Sequence, residues 1–192
     1  MSRRSSDGVT VRTPVPGDET PLHDLTTGHF AGDTDYTVDL GLDDPRTHVR
    51  VAERDGRPVG SMALSVHDDR TALREELCLV DTVEPVAAVD RYGLLETGYV
   101  RRDHTGEGIG ARLLERLHVV GRREGVDAYV VDAWFHGGPD SPERLFDDHG
   151  YAVVHRHSIA GHADGVCSKC GPDCVCEAAL VVRDDRDDAE DQ

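Results

Sequence analysis

The sequence predicts an α/β fold in which a mixed, mostly antiparallel sheet is flanked by helices. Three observations support this class. An apolar strand at Tyr92–Val100 runs through a polar, glycine-rich turn into an amphipathic helix, and a second apolar strand, Val126–Trp134, follows. This strand-helix-strand order predicts a parallel crossover. An Asp-Gly pair between two alternating segments predicts a hairpin, and two closing strands are expected near the C-terminal end.

The other elements are predicted from turn residues and apolar spacing. Ahead of the central strand, we expect a disordered arm at 1–8, a strand at 9–15, a helix at 18–29 and the hairpin at 48–67. Residues 68–90 are predicted to be an insertion or an elaborated connection between strands. After the crossover, we expect a short helix at 141–151, strands at 151–158 and 175–183, and an acidic disordered tail at 184–192. One domain would therefore occupy residues 9–183.

The composition is strongly acidic. The chain has 192 residues, with 38 acidic against 21 basic side chains, for a formal charge of −17. Such a surface repels nucleic acids and anionic membranes, so neither is an expected partner. An acid-rich chain whose only lysine is Lys169 resembles proteins of salt-loving microbes, although an acidic protein of another origin is an alternative. No apolar run is long enough to cross a bilayer and no secretory signal is present, so we expect a cytoplasmic protein.

The turn after the central strand is a candidate anion site. Glycines at 106, 108 and 110 leave the backbone N–H groups at the start of the helix unscreened. Those groups and the positive end of the helix dipole favour a phosphate. Gly106, Gly108 and Ala111, with Asp132 further on, also fit a dinucleotide fingerprint formally. Five polar residues between Val100 and Gly106, and too little chain for further β-α-β units, argue against that alternative.

The segment Y-V-R-R-D-H-T-G-E-G-I-G-A-R-L-L, residues 99–114, resembles motif A of the GNAT acetyltransferases. In that motif a strand ending in Val precedes an Arg/Gln-x-x-Gly-x-Gly/Ala loop. Gly108 and Gly110 occupy the two glycine positions, whereas Thr105 stands where the family has Arg or Gln. Downstream, S-P-E-R-L-F-D-D-H-G-Y at 141–151 is similar to a short helix of the family. The resemblance covers most of residues 9–160 and implies a GNAT-type sheet with the crossover at an acetyl-CoA site.

The resemblance implies a set of residues for acetyl-CoA. The N–H of Val100 would polarise the acetyl carbonyl, and the backbone of Tyr99 and Arg101 would pair with the pantetheine arm. Arg102 and Arg112 would add charge near the phosphates, with solvated surface arginines as the alternative. Backbone N–H groups of the loop would hold the pyrophosphate; the loop residues are Thr105, Gly106, Glu107, Gly108, Ile109, Gly110 and Ala111.

Glu96 is the candidate base. It lies four residues before Val100, so period-two alternation puts both on one face of the strand. Partial burial among leucines would raise the pKa of this carboxyl, and a structural carboxylate paired with an arginine is the alternative. The family tyrosine that protonates the thiolate falls on Phe146. The remaining candidates for that proton are Tyr99, Tyr151 and His136.

Four cysteines crowd into ten residues of a hairpin at 165–177. Cys167, Cys170, Cys174 and Cys176 would form a closed tetrahedral zinc site of the structural type. An iron–sulfur cluster, copper(I) or a disulfide are alternatives. His155, His157 and His162 are possible substitutes for one cysteine, but the first two share a strand face and are expected to be surface histidines. Cys78, among leucines, is expected to be a buried structural thiol.

The sequence therefore predicts an N-acetyltransferase that moves an acetyl group from acetyl-CoA to a primary amine by direct attack in a ternary complex. The amine would belong to a small molecule or a peptide, and a homodimer is the common assembly. One alternative is a catalytically silent module that binds or senses CoA, suggested by Thr105 and Phe146. Another is a metal-stapled interaction domain in which the glycine loop has no function.

Overall fold

The computed structural model describes residues 8–30, 39–77, 80–135, 141–159 and 176–186, apart from the side chains of 27–30. The strands are β1 (Val9–Arg12), β2 (Thr47–Arg54), β3 (Arg57–His67), β4 (Tyr92–Val100), β5 (Ala128–Phe135), β6 (Ala152–Ser158) and β7 (Glu177–Asp184). The helices are α1 (Glu19–Phe30), α2 (Arg70–Glu76), α3 (Ile109–Glu124) and α4 (Glu143–Asp147), with one 3-10 turn at Arg102–His104. Among the described residues, the strands form one seven-stranded sheet in the order β1-β2-β3-β4-β5-β7-β6.

The predicted fold class is confirmed. β4 and β5 are parallel, with a register that runs from Tyr92↔Ala128 to Leu95↔Val131. The pairs β1-β2, β2-β3, β5-β7 and β6-β7 are antiparallel. The central strand has the predicted bounds, Tyr92–Val100, and the predicted amphipathic helix follows it as α3. Gly125, with φ +74°, stands just after α3, where glycine satisfies the left-handed conformation of a helix end.

The chain divides into two compact units, and the first consists of Met1–Ser65 with Glu96–Gly121. Its hairpin β2-β3 turns at Asp55 and Gly56, whose φ angles of +51° and +73° suit a tight two-residue turn. Leu22 of α1 packs with Leu40 and Val51 in a small apolar cluster. In α3 the face predicted to be apolar is buried; it comprises Ile109, Leu113, Leu114, Leu117 and Val120.

The second unit consists of Val66–Leu95 with Arg122–Gln192. The segment 68–90, predicted only as an insertion or connection, contains α2, which begins where Asp69 caps the N–H of Ala72 at 2.8 Å. Leu73 and Val80 of this segment pack in one core cluster with Tyr92 of β4 and Leu180 of β7. The segment therefore supplies part of the core of the second unit. No helix among the described residues is long and apolar enough to cross a membrane.

Candidate functional site

The candidate site is the loop between the end of β4 and the start of α3, within the first unit. Gly106 and Gly108 have φ angles of +80° and +79°, which L side chains rarely adopt. The helix begins directly afterwards, and its first hydrogen bond runs from the N–H of Arg112 to the carbonyl of Gly108 at 3.2 Å. The glycines thus allow the backbone to turn sharply into the helix.

The loop presents backbone donors that no described residue uses. Within the described part of the chain, no hydrogen bond is donated by the backbone N–H groups of residues 106–111. A Cβ placed on Gly106 or Gly108 would meet no atom within 4 Å, so the space beside the loop is open. Unpaired N–H groups at the start of a 16-residue helix lie at the positive end of its dipole. This arrangement can bind an anion, as the sequence predicts.

Glu107 lies between these glycines, and its side chain turns inward. Its carboxylate accepts a hydrogen bond from Nη2 of Arg54 at 2.6 Å, and its Oε1 lies 3.7 Å from Nδ1 of His104. The Glu107 side chain is only 4% exposed. The pKa of this carboxyl is lowered, first by the Arg54 hydrogen bond and further by the charges of Arg54 and His104.

At the end of β4 the backbone N–H and carbonyl groups of successive residues point alternately towards β3 and away from it. The N–H of Arg101 donates to the carbonyl of Val59 at 2.9 Å, so that donor is already occupied by β3. The carbonyl of Tyr99 also points towards β3, because it lies 3.0 Å from a Cβ built on Gly60. By the alternation of an extended chain, the N–H groups of Gly98 and Val100 point away from β3. Gly98 is absent from the sequence-based set, although the same alternation applied to Val100 could have identified it.

The side chains around this loop differ in exposure. Glu96 is exposed, so the expected partial burial is wrong. Tyr99 is half-buried, and burial raises the pKa of its phenol. Arg102 is exposed and makes no ion pair with any described residue, whereas the exposed Arg101 pairs with Asp103 at 3.2 Å. Thr105 donates its hydroxyl to the carbonyl of Arg102 at 3.0 Å, which steadies the turn before Gly106.

The other candidates for the thiolate proton belong to the second unit. Phe146 of α4 is buried and packs edge-on against Tyr151, with the ring centroids 5.2 Å apart. Tyr151 is itself buried, and burial raises the pKa of its phenol well above the ordinary value. His136 lies outside the described residues. Tyr99 is therefore the only one of the three named candidates described within the unit that holds the glycine loop.

The second unit contains a buried polar pair that the sequence did not predict. Nε2 of His157 on β6 lies 3.4 Å from Oδ2 of Asp132 on β5, and Nδ1 of His157 has no hydrogen-bond partner among the described residues. Burial raises the pKa of Asp132, while the charge of His157 opposes that shift. His155 stacks on His157 with centroids 5.9 Å apart and pairs with Asp81 at 2.7 Å. His157 is buried, so its prediction as a surface histidine is wrong.

The predicted cysteine cluster lies mostly outside the described residues. Cys167, Cys170, Cys174 and also Cys78 and His162 fall there. Cys176 is described, is half-buried and forms no disulfide within the described chain; its carbonyl accepts the N–H of Ile159 at 3.1 Å. Among described residues, no group of three or more histidine, cysteine or acidic side chains could hold a metal ion. The zinc site stays a prediction.

Comparison with known proteins identifies the family. The model of the acetyltransferase (GNAT) family matches residues 19–151. A GNAT-family acetyltransferase from Streptococcus pneumoniae is similar with a TM-score of 0.64 and 11% identity, over 91% of this chain and 98% of that one. An acetyl-CoA-bound family member from Elizabethkingia anophelis has a TM-score of 0.60 and 12% identity, over 93% of this chain and 99% of that one. Agmatine N-acetyltransferase, in a mutant apo form, has a TM-score of 0.67 and 17% identity, over 93% of this chain and 100% of that one.

At these identities the solved structures support the fold, and the family model supports the assignment. A search of curated proteins found no match. The family match spans α1, the glycine loop and the strand-helix-strand crossover. The chain belongs to the GNAT acetyltransferase family.

Proposed function

We propose that this protein is an N-acetyltransferase that moves an acetyl group from acetyl-CoA to a primary amine by direct attack within a ternary complex. One observation carries the proposal. The backbone N–H groups from Gly106 to Ala111 donate to no described residue, and the space beside Gly106 and Gly108 at the start of α3 is open. A pyrophosphate is the anion whose several oxygens can use such a row of donors at once.

The residues present fit the rest of acetyl-CoA. The exposed guanidinium of Arg102 has no ion pair among the described residues and can approach a phosphate. The N–H groups of Gly98 and Val100 point away from β3, which leaves them available to the thioester arm. Because the N–H of Arg101 is bonded to Val59, we propose that Gly98 and Val100, rather than Tyr99 and Arg101, pair with that arm.

Three tasks remain for the chain during transfer. A backbone N–H at Val100 or Gly98 would polarise the acetyl carbonyl, since an N–H aimed at a carbonyl stabilises the negative charge that develops there. The exposed carboxylate of Glu96 would bind the incoming ammonium group and accept a proton from it through water. The phenol of Tyr99, whose pKa burial raises, stays protonated at neutral pH and could deliver a proton to the departing thiolate.

The first test is a calorimetric titration with acetyl-CoA. The wild type is expected to bind with a micromolar Kd, and Gly108→Trp should raise that Kd at least about 100-fold by filling the loop. Gly150→Trp is the matched control, because Gly150 shares a φ of +79° and also has no atom within 4 Å of an added Cβ. A folded wild type that binds no acetyl-CoA would sink the proposal.

The second test separates an enzyme from a silent CoA-binding module. A screen of primary amines with acetyl-CoA should find an acceptor whose acetylation releases CoA. Glu96→Gln should then lower kcat/KM at least tenfold and leave the Kd for acetyl-CoA within about twofold. Binding without turnover for any amine would favour the silent module, for which buried Phe146 at the family tyrosine position is the supporting observation.

We also propose that the cysteine-rich hairpin binds zinc and that the acidic composition is an adaptation to salt. The supporting observation for zinc is the spacing of Cys167, Cys170, Cys174 and Cys176. Metal analysis of the purified chain should find about one zinc per chain, and Cys167→Ser with Cys170→Ser should lose it. Thermal unfolding between low and molar salt should show a midpoint that rises with salt, because screening relieves the repulsion of a −17 charge.

A further inference from the structure

A glutamate in the middle of an anion-binding loop requires an explanation. Glu107 lies between Gly106 and Gly108, within the row of N–H groups that would hold the pyrophosphate. An unpaired carboxylate there would repel the phosphates across a distance too short for salt to screen. Something must therefore turn the carboxylate away from the ligand and compensate its charge.

Arg54 contacts both Glu107 and His104 of the loop. Its Nη2 donates to Oε2 of Glu107 at 2.6 Å, and its Nη1 lies 2.9 Å from Nδ1 of His104. Arg54 is the last residue of β2, so its backbone is fixed by pairing with Val9 of β1 and Arg57 of β3. One guanidinium therefore links residues 104 and 107 of the loop to the end of β2.

The Arg54 guanidinium is also closer to the Glu107 carboxylate than His104 is. Its Nη2 lies 2.6 Å from Oε2, whereas Nδ1 of His104 lies 3.7 Å from Oε1. A guanidinium is charged at every pH near neutrality, so the compensation that Arg54 provides does not depend on the protonation of His104.

We propose that Arg54 is a positioning residue for acetyl-CoA: it holds the Glu107 carboxylate inward and compensates its charge, which lets the loop accept a pyrophosphate. This inference rests on the proposed function. Arg54 itself touches no part of the ligand and acts only through Glu107 and His104.

The test compares two arginines of one hairpin. Arg54→Met should raise the Kd for acetyl-CoA at least tenfold, because it leaves the Glu107 carboxylate uncompensated inside the anion site. Arg57→Met removes the same charge from an exposed arginine at the start of β3 and should change that Kd less than twofold. S-acetylpantetheine keeps the thioester arm but has no phosphate, so its affinity should be equal in wild type and Arg54→Met.

Glu107→Gln provides the second arm and covers the case in which Arg54→Met does not fold. Removal of the carboxylate should tighten acetyl-CoA binding about threefold, since Arg54 then faces the loop uncompensated. In the Glu107→Gln background, Arg54→Met should raise the Kd for acetyl-CoA less than threefold, because the charge that needed compensation has gone.

Three results would overturn the inference. They are an Arg54→Met effect no larger than that of Arg57→Met, an equal loss for S-acetylpantetheine, and weaker acetyl-CoA binding by Glu107→Gln. A purely structural role for Arg54 would produce the second of these, because a damaged fold weakens both ligands alike. A wild type that binds no acetyl-CoA would instead refute the proposed function, so the two failures are distinguishable.

Discussion

Two acidic side chains, Glu107 in the first unit and Asp132 in the second, are both largely buried, and yet their pKa values are shifted in opposite directions. The side chains are 4% and 16% exposed. The pKa of Glu107 is lowered, with the Arg54 hydrogen bond as the largest cause. The pKa of Asp132 is raised, with burial as the largest cause.

The difference lies in the partner and in its geometry. Arg54 is always charged and donates to Glu107 at 2.6 Å. Asp132 faces an imidazole at 3.4 Å whose nitrogens complete no hydrogen bond with described residues. A close, permanently charged donor outweighs the loss of water, whereas a distant and titratable one does not. Burial alone therefore does not decide the charge of a carboxyl group in this chain.

The largest expected effect comes from His157→Ala. The side chain is 5% exposed, so its removal leaves a cavity beside Asp132 and takes away the charge that opposes the desolvation of that carboxyl. We expect a loss of about 2 kcal/mol in the free energy of unfolding, measured by urea denaturation at neutral pH.

His155→Ala is the control for this comparison. His155 is also a ring on β6, but it is 25% exposed and its partner Asp81 is 71% exposed. Such a pair contributes little, so the loss should stay below about 1 kcal/mol. Equal losses for the two histidines would mean that the stacked pair, rather than the buried Asp132 contact, carries the stability.

How far the sequence could anticipate these sites depends on the separation of their residues along the chain. The glycine loop, α3 and the crossover depend on residues that are close in sequence, and they were predicted in the order that the chain shows. Arg54 and Glu107 are 53 positions apart, and no local pattern relates them. Period-two alternation could place His155 and His157 on one face, but it could not tell that His157 on this face is buried. That knowledge requires the order β5-β7-β6, in which the last strand inserts between the other two.

A smaller effect, of opposite sign, is expected for Asp132→Asn. The raised pKa means that the folded protein holds this proton to higher pH than the unfolded chain, whose ordinary value is 3.8. Stability must therefore fall as the pH rises through the interval between 3.8 and the raised value. Asparagine removes this penalty, so the variant should be more stable than wild type by about 1 kcal/mol at pH 8.

The same variant should lose its advantage on acidification. Below the ordinary value of 3.8 the carboxyl becomes protonated in both the folded and the unfolded wild type, so the two unfolding midpoints should converge. Asp81→Asn serves as the control, since the hydrogen bond from His155 lowers the pKa of Asp81 and no gain is expected at pH 8. A less stable Asp132→Asn at pH 8 would show that the His157 contact outweighs desolvation after all.

The smallest expected effect is a change in pH dependence at Glu107, and it tests the other half of the comparison. Its pKa lies below the ordinary 4.5, so the ionised form stabilises the folded state at every pH above that value. The contribution is lost as the pH falls through the lowered pKa. The unfolding midpoints of wild type and Glu107→Gln should therefore stay a constant distance apart from pH 8 to pH 5 and converge below pH 4.5.

The other acidic residues titrate in both proteins, so their effects cancel in the difference between the two midpoints. A gap that widens on acidification would give Glu107 the sign of Asp132, and the contrast between a paired and a desolvated carboxylate would then fail.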